Sequence, residues 1–475
     1  MRKEIVMNHT AITANPLGTE RIGKLAVQYA VPSVISLVIN SLYNMVDQVF
    51  IGQGVGYLGN AATNVIMPMT LIVMAVAIMF GNGASAFMSL QLGKKKPKEA
   101  ADGVGNMITL SLGSSILFLV LFELFLEPLC SLFGATSDVM PYALDYGKII
   151  VLGFPLFVIG VAFSNVIRAD GRPKSSMTGM LIGCIANIIL DPIFIFVFHW
   201  GVKGAAWATV IGQCLNAAFY IFCLFRFQTI KLHRINFKLR GFVAKNIISL
   251  GMSSFFSQIA ATIVIAIQNN LLVKYGAASK YGSDIALAAL GITMKTSQLI
   301  TSIAMGIATG IQPILGYNYG SGQYGRVKKT FRLSLISCTV IMLFALFMFQ
   351  VYPQAIISIF GQESELYMEF AVKCFRIYLL CCFMIPSGMV VSIFFQSIGK
   401  PVPAMVISLS RQIIFLIPAM FLLGTLMGVE GLLWAGPAAD LLSGIISLVL
   451  VKIYWNKVFT QEPSLLADAR EVMQY

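Results

Sequence analysis

Apolar runs long enough to cross a bilayer recur along the whole chain. They fall at about 27–50, 62–91, 104–133, 145–167, 176–199, 204–225, 244–274, 285–315, 331–352, 370–396, 403–425 and 429–455. A helix needs about 20 predominantly apolar residues to span a hydrocarbon core. The runs are rich in Leu, Ile, Phe and Met and do not alternate apolar with polar. They therefore predict helices rather than the strands of a membrane barrel. The pattern predicts an all-α integral membrane protein with twelve transmembrane helices. Polar stretches divide it into an N-terminal tail (1–26), a first six-helix lobe (27–225), a basic linker (226–243), a second lobe (244–455) and a C-terminal tail (456–475). The first run follows a charged tail, which is not the pattern of a cleavable signal peptide.

Composition adds that this surface needs lipid. The 475 residues are 57% hydrophobic and 11% charged, whereas soluble domains carry roughly a quarter charged residues. A net charge of +13 raises the question of nucleic acid, but the placement of the charges answers it. Arg2, Lys3, Arg21 and Lys24, then Lys94, Lys95, Lys96 and Lys98, then Arg168, Arg172 and Lys174, fill alternate loops. The linker, Arg326, Lys328, Lys329, Lys400 and Lys457 continue the alternation, with Lys203, Lys274 and Lys280 as exceptions. This is the positive-inside bias. It predicts a multi-pass protein with both termini cytoplasmic, and scattered basic loops without interleaved aromatics predict no nucleic-acid partner. The eight cysteines lie mostly within apolar runs without CxxC spacing and read as packing residues. The three histidines cluster with neither Cys nor acids, so no metal or haem site is expected. Asn8-His9-Thr10 matches a glycosylation sequon that a cytoplasmic tail would leave unused.

The halves repeat. Gly201-Val-Lys-Gly204-Ala-Ala-Trp207-Ala208 returns as Gly428-Val-Glu-Gly431-Leu-Leu-Trp434-Ala435. Gly171-Arg-Pro173 returns as Gly399-Lys-Pro401, and Gly83 and Gly93 return as Gly310 and Gly320. All the pairs are about 227 residues apart. Six spans per half give both halves the same orientation, which predicts pseudo-symmetric lobes related by an axis along the membrane normal. Two such lobes around a central cleft suit alternating-access transport. A cleft formed within one chain needs no partner, so a monomer is expected.

Ionisable groups at the bilayer centre cost roughly 2.5–3.5 kcal/mol on insertion scales, which makes them functional candidates. Asp47 on helix 1 and Asp191 on helix 5 are two such acids. Asn187 lies one turn before Asp191 on the same face, and Thr209 and Gln213 are similarly spaced on helix 6. Two carboxylates with amide and hydroxyl oxygens can bind sodium or share a proton. Pro32 removes a backbone hydrogen bond inside helix 1 and is the candidate conformational kink. The second lobe has no acid aligned with these two. It carries Lys295, which either faces the cleft or snorkels, and Arg411 and Asp440, read as a structural ion pair. Asn44, Asn64, Met67, Gln213, Gln258 and Lys295 are the candidate cleft residues, Met supplying an adaptable surface.

Several segments carry a family resemblance. They are Leu17-Gly18-Thr-Glu20, Pro32 with Asp47, Gly171-Arg-Pro173, Asn187-x-x-x-Asp191, Thr209, and Ile311-Gln312-Pro313-Ile314-Leu315-Gly316-Tyr317-Asn318-Tyr319-Gly320 placed after helix 8. The chain resembles the multidrug and toxic compound extrusion (MATE) transporters over about residues 15–455, especially the MepA-like bacterial efflux subgroup. The resemblance implies a non-enzymatic antiporter of the bacterial cytoplasmic (inner) membrane. It would export organic, often cationic, compounds or other amphipathic drugs in exchange for H+ or Na+, with no other cofactor. It carries the ion site over to Asp47, Asn187, Asp191 and Thr209. Other members use acids on helices 7 and 10; helix 7 here offers Gln258 and Gln268 instead. Two further readings are a lipid-linked oligosaccharide flippase, which would need a strongly cationic cleft, and a membrane receptor or scaffold, which would need a soluble domain or long tail. No nucleophile–base constellation supports an enzyme, and no Walker motif supports nucleotide hydrolysis.

Overall fold

A computed structural model describes residues 15–359 and 364–459. The sequon at Asn8 and most of the two tails lie outside the described residues. Among the described residues, twelve helices are long and apolar enough to cross a membrane, one for each predicted run. They are α1 (Ile22–Gly54), α2 (Tyr57–Gly93), α3 (Pro97–Leu124), α4 (Met140–Ala169), α5 (Pro173–Val197) and α6 (Gly201–Leu224) in the first lobe. The second lobe holds α7 (Gly241–Ala277), α8 (Gly282–Gly320), α9 (Tyr324–Val351), α10 (Glu365–Ser397), α11 (Pro401–Met427) and α12 (Val429–Phe459). The chain is therefore a multi-pass membrane protein.

The structure moves several expected ends. The Gln312–Gly320 segment does not follow helix 8 but forms its last turns, with Pro313 inside the helix. One lost backbone hydrogen bond is tolerated because Gln312, Pro313, Leu315 and Gly316 are all buried. The third run breaks at Phe125, and Leu126–Leu132 form a separate short helix. The tenth breaks at Leu379, passes through a 3-10 turn at Cys382–Met384, and resumes at Ile385. α5 and α11 each widen into a π-helical stretch, Ile193–Val197 and Ser410–Leu416. Each stretch adjoins a proline, Pro192 or Pro418, whose missing N–H disturbs the regular ladder.

Packing repeats between the lobes. α1 lies on α5 and α8, and α7 lies correspondingly on α11 and α2. α4 packs on α2 and α6 as α10 packs on α8 and α12. Small residues let the lobes touch backbone to backbone. A Cβ added at Gly83 of α2 would land on the Ile247 carbonyl of α7, and one at Gly251 would land on the Met79 carbonyl. The same seam carries amides: Asn82 Nδ2 donates to Ser254 Oγ (3.0 Å), and Gln312 Nε2 of α8 approaches the Asn82 carbonyl (3.4 Å).

The linker is strapped to the first lobe. Asp102, Asn106 and Thr109 recur along one face of α3. Asn236 Nδ2 donates to Asp102 Oδ1 (2.7 Å), the Arg240 guanidinium pairs with Asp102, and Thr109 Oγ1 donates to the Phe237 carbonyl (2.7 Å). At the linker's start, Asp170 accepts from the backbone N–H groups of Gln228 (3.1 Å) and Thr229 (3.0 Å) and from Thr229 Oγ1 (2.6 Å). Burial pushes the Asp170 carboxyl above its ordinary range, while these hydrogen bonds and Arg172 pull it back. Asp170→Ala strands two backbone donors. It is expected to cost about 1–3 kcal/mol, read as a lowered melting temperature of the purified protein, whereas Asp170→Asn should retain part of the difference.

Two motifs far apart in sequence meet here. Asn318 Nδ2 donates to the Leu17 carbonyl (2.9 Å), and Arg326 donates to the carbonyls of Leu17 (3.0 Å) and Glu20 (2.8 Å). Two of the three basic exceptions are neutralised by acids: Lys203 by Asp145 (3.2 Å) and Lys280 by Glu369 (2.8 Å).

Candidate functional site

Asp47, Asn187, Asp191 and Thr209 converge inside the first lobe from α1, α5 and α6. Asp47 is 7% exposed, Asn187 2% and Asp191 0%. The i,i+4 spacing on α5 brings the Asn187 amide over Asp191. In the amide orientation that satisfies both ends, Asn187 Nδ2 donates to Asp191 Oδ2 (2.8 Å). Its oxygen then accepts from the Thr209 backbone N–H (3.0 Å) and from Thr209 Oγ1 (3.2 Å). Asn187 thus ties Asp191 to α6.

Asp47 approaches Asp191 from α1, and the two carboxyl groups lie within interaction range of each other. Asp47 Oδ1 is buried without a hydrogen-bond partner. Neither acid makes an ion pair with a basic side chain among the described residues. Two contacting carboxylates repel, and in a water-poor setting the repulsion is large. The pair demands a positive charge from outside the protein. A proton shared between the carboxyls needs no other ligand. Sodium would want further oxygens, and Thr209 Oγ1, which keeps its lone pairs while donating to the Asn187 oxygen, is one such group.

Two residues join the site that the sequence did not single out. Tyr43 of α1 lies beside Asp47, Asp191 and Thr209, and Tyr146 of α4 lies beside both acids and Tyr43. Both sit in apolar runs where a tyrosine reads as packing. Tyr43 stands one turn before Asp47, which is the only sequence signal for it. Gln48 faces Asp47 and approaches Thr63 Oγ1 of α2 at 3.4 Å.

The other candidates are distributed differently. Pro32 lies within a continuous α1, far from Asp47 along the helix. Asn44, Asn64, Met67 and Lys295 are exposed, and the Asn44 amide donates back to the Asn40 carbonyl (2.7 Å). Gln258 is half-buried on α7. Gln213 is half-buried against α4, where its Oε1 would stand 2.8 Å from a Cβ at Gly153. Arg411 and Asp440 form the expected ion pair, Nε to Oδ1 2.6 Å.

Known proteins resemble this arrangement. Residues 32–193 and again 261–422 match the model of the MatE family, one match in each lobe. The Multidrug export protein MepA of Staphylococcus haemolyticus is 25% identical over 450 residues, 94% of this chain and 96% of that protein. A structure described as the outward-facing conformation of a multidrug resistance MATE family transporter of the MOP superfamily superposes with a TM-score of 0.86. It is 20% identical and covers 93% of this chain and 97% of its own. A MOP superfamily transporter from Pyrococcus furiosus, described as having a binding pocket of reverse polarity that suggests a different function, also gives 0.86 at 20% identity. It covers 93% and 98% of the two chains.

Proposed function

The chain belongs to the MatE family of transporters, and from that premise we propose that it is a secondary active multidrug efflux antiporter. It exports organic, often cationic, compounds in exchange for protons or sodium ions by alternating access. The observation that carries the coupling is the buried Asp47–Asp191 contact without a basic side chain to neutralise it. An ion that enters removes the repulsion and draws α1 towards α5. Its departure restores the repulsion and loosens them. Because α1 also packs on α8 of the other lobe, a change between α1 and α5 reaches the lobe interface. Ion and drug then compete through the two conformations, each shifting the equilibrium by its differential affinity. The direct approach of Asp47 to Asp191, which one shared proton can bridge, favours the proton as the exchanged ion.

The positive-inside bias of the basic loops supports both tails lying on the cytoplasmic face of the bacterial inner membrane. Drugs enter a central cleft bordered by exposed Asn44, Asn64, Met67 and Lys295, with Gln213 and Gln258 behind them. The protein works as a monomer surrounded by lipid.

Ethidium efflux from proteoliposomes, with pH and sodium gradients imposed separately, tests this reading. Efflux driven by the pH gradient alone is the expected result. Efflux driven only by sodium would assign sodium to the acids. No efflux under either gradient would shift the reading to the flippase alternative.

A further inference from the structure

The second lobe also buries a carboxylate, and it neutralises that group by other means. Asp440 of α12 has a side chain 4% exposed, and Arg411 of α11 meets it at 2.6 Å with a side chain 30% exposed. Tyr378 of α10 lies beside both, and Gln268 of α7 approaches the tyrosine. Gln268 is fully buried, with neither amide atom hydrogen-bonded. Cys381 and Cys382 of α10 complete the titratable groups facing Asp440.

These four helices, α7, α10, α11 and α12, are the repeat counterparts of α1, α4, α5 and α6, which build the first-lobe site. The register differs. Compared with Asp47, Tyr146, Asp191 and Thr209 carried over by the repeat, each second-lobe residue lies about one to two turns nearer the basic helix ends. Arg411 sits within the π-helical stretch of α11, whereas Asp191 stands just before that of α5. Both lobes thus enclose a carboxylate among the same four helices, with a tyrosine alongside. One has a second acid and no basic residue; the other has a guanidinium.

We propose that Arg411 is a tethered counter-ion that permanently occupies the second lobe's cation pocket and so confines exchangeable-ion coupling to the first lobe. This rests on the coupling reading given above. A buried carboxylate must be neutralised, because an isolated charge in low dielectric is costly. The first lobe leaves that task to a mobile ion, which is exchanged in every cycle. In the second lobe the ion pair carries no net charge, so nothing needs to enter or leave. Removing the guanidinium exposes Asp440, the Tyr378 hydroxyl and the unpartnered Gln268 carbonyl as oxygen ligands for a mobile cation. The number of coupled ions then depends on one side chain.

The test is the steady-state ethidium gradient sustained by a tenfold ion gradient in proteoliposomes, with the membrane potential clamped. One extra coupled ion multiplies the attainable drug gradient by a further factor of about ten. Arg411→Gln is expected to show that increase. Arg411→Lys, which keeps a tethered cation, and the double variant Arg411→Gln/Asp440→Asn, which removes the demand for one, are expected to match the wild type. An unchanged gradient in folded Arg411→Gln overturns the inference, as does an increase in the double variant. If Arg411→Gln does not fold, the double variant and Arg411→Lys decide alone: a shift in either overturns it. Wild-type protein without ion-driven efflux would instead overturn the coupling site itself, whereas a coupled wild type with an unchanged Arg411→Gln leaves that site standing.

Discussion

Asp191→Asn is expected to abolish ion-driven drug export, lowering gradient-driven ethidium efflux at least tenfold while leaving the protein folded. Asp191 is fully buried, faces Asp47, and is held to α6 through Asn187. Two unit charges about 4 Å apart repel by about 4 kcal/mol at an effective dielectric constant near 20. That repulsion is what an entering ion relieves. An asparagine occupies the same space without the charge, so occupancy of the site no longer distinguishes the two conformations and the imposed gradient has nothing to act on. Downhill equilibration of the drug should persist, because the cleft is untouched. Thermal stability should be equal to or above that of the parent, since a repulsive contact has gone. Asp47→Asn should behave alike for the same reason. Retained uphill export in both variants would sink the assignment, and a loss of downhill equilibration would show damage to the cleft instead.

Much of this site was legible because its parts obey short-range rules. Asp47 and Asp191 stand out as acids inside apolar runs, and the Asn187–Asp191 spacing fixes a shared face of α5 before any fold is known. The repeat made the lobes legible too, since Gly83 and Gly310 recur at matching places and sit at matching seams. What stayed hidden depends on register between helices. Tyr43 and Tyr146 look like packing aromatics until α1, α4 and α5 are brought together. The role of Gln213 is likewise a matter of which neighbour its face meets, and it meets Gly153 of α4. The segment ending at Gly320 is expected after helix 8, beyond the end of the eighth apolar run. It is helical and buried through Asn318, whose amide binds the Leu17 carbonyl just before α1. The pairing of Arg411 with Asp440 was readable as charge balance. Its correspondence to the first-lobe site was not, because the register is displaced.

Gly251→Val should cripple transport by a different route, without touching an ion or a drug. In the present conformation the lobes close on each other at their basic ends, where α2 and α7 run so near that a Cβ at Gly251 would strike the Met79 carbonyl, and one at Gly83 the Ile247 carbonyl. Backbone cannot yield as a flexible side chain can, so the added methyl groups must separate the helices or strain them. Separation breaks the hydrogen bond of Asn82 with Ser254, which lies in the same seam. The variant is then biased towards the conformation open at the basic ends, and export falls at least tenfold because the cycle cannot return. A cysteine placed by Asn82→Cys should react several-fold faster with an impermeant thiol reagent in the Gly251→Val background than alone. Gly241→Ala, where nothing stands within 4 Å of the new carbon, should transport normally. Wild-type export by Gly251→Val would mean that the lobes do not need this close approach, and the seam would then be a packing contact rather than a gate.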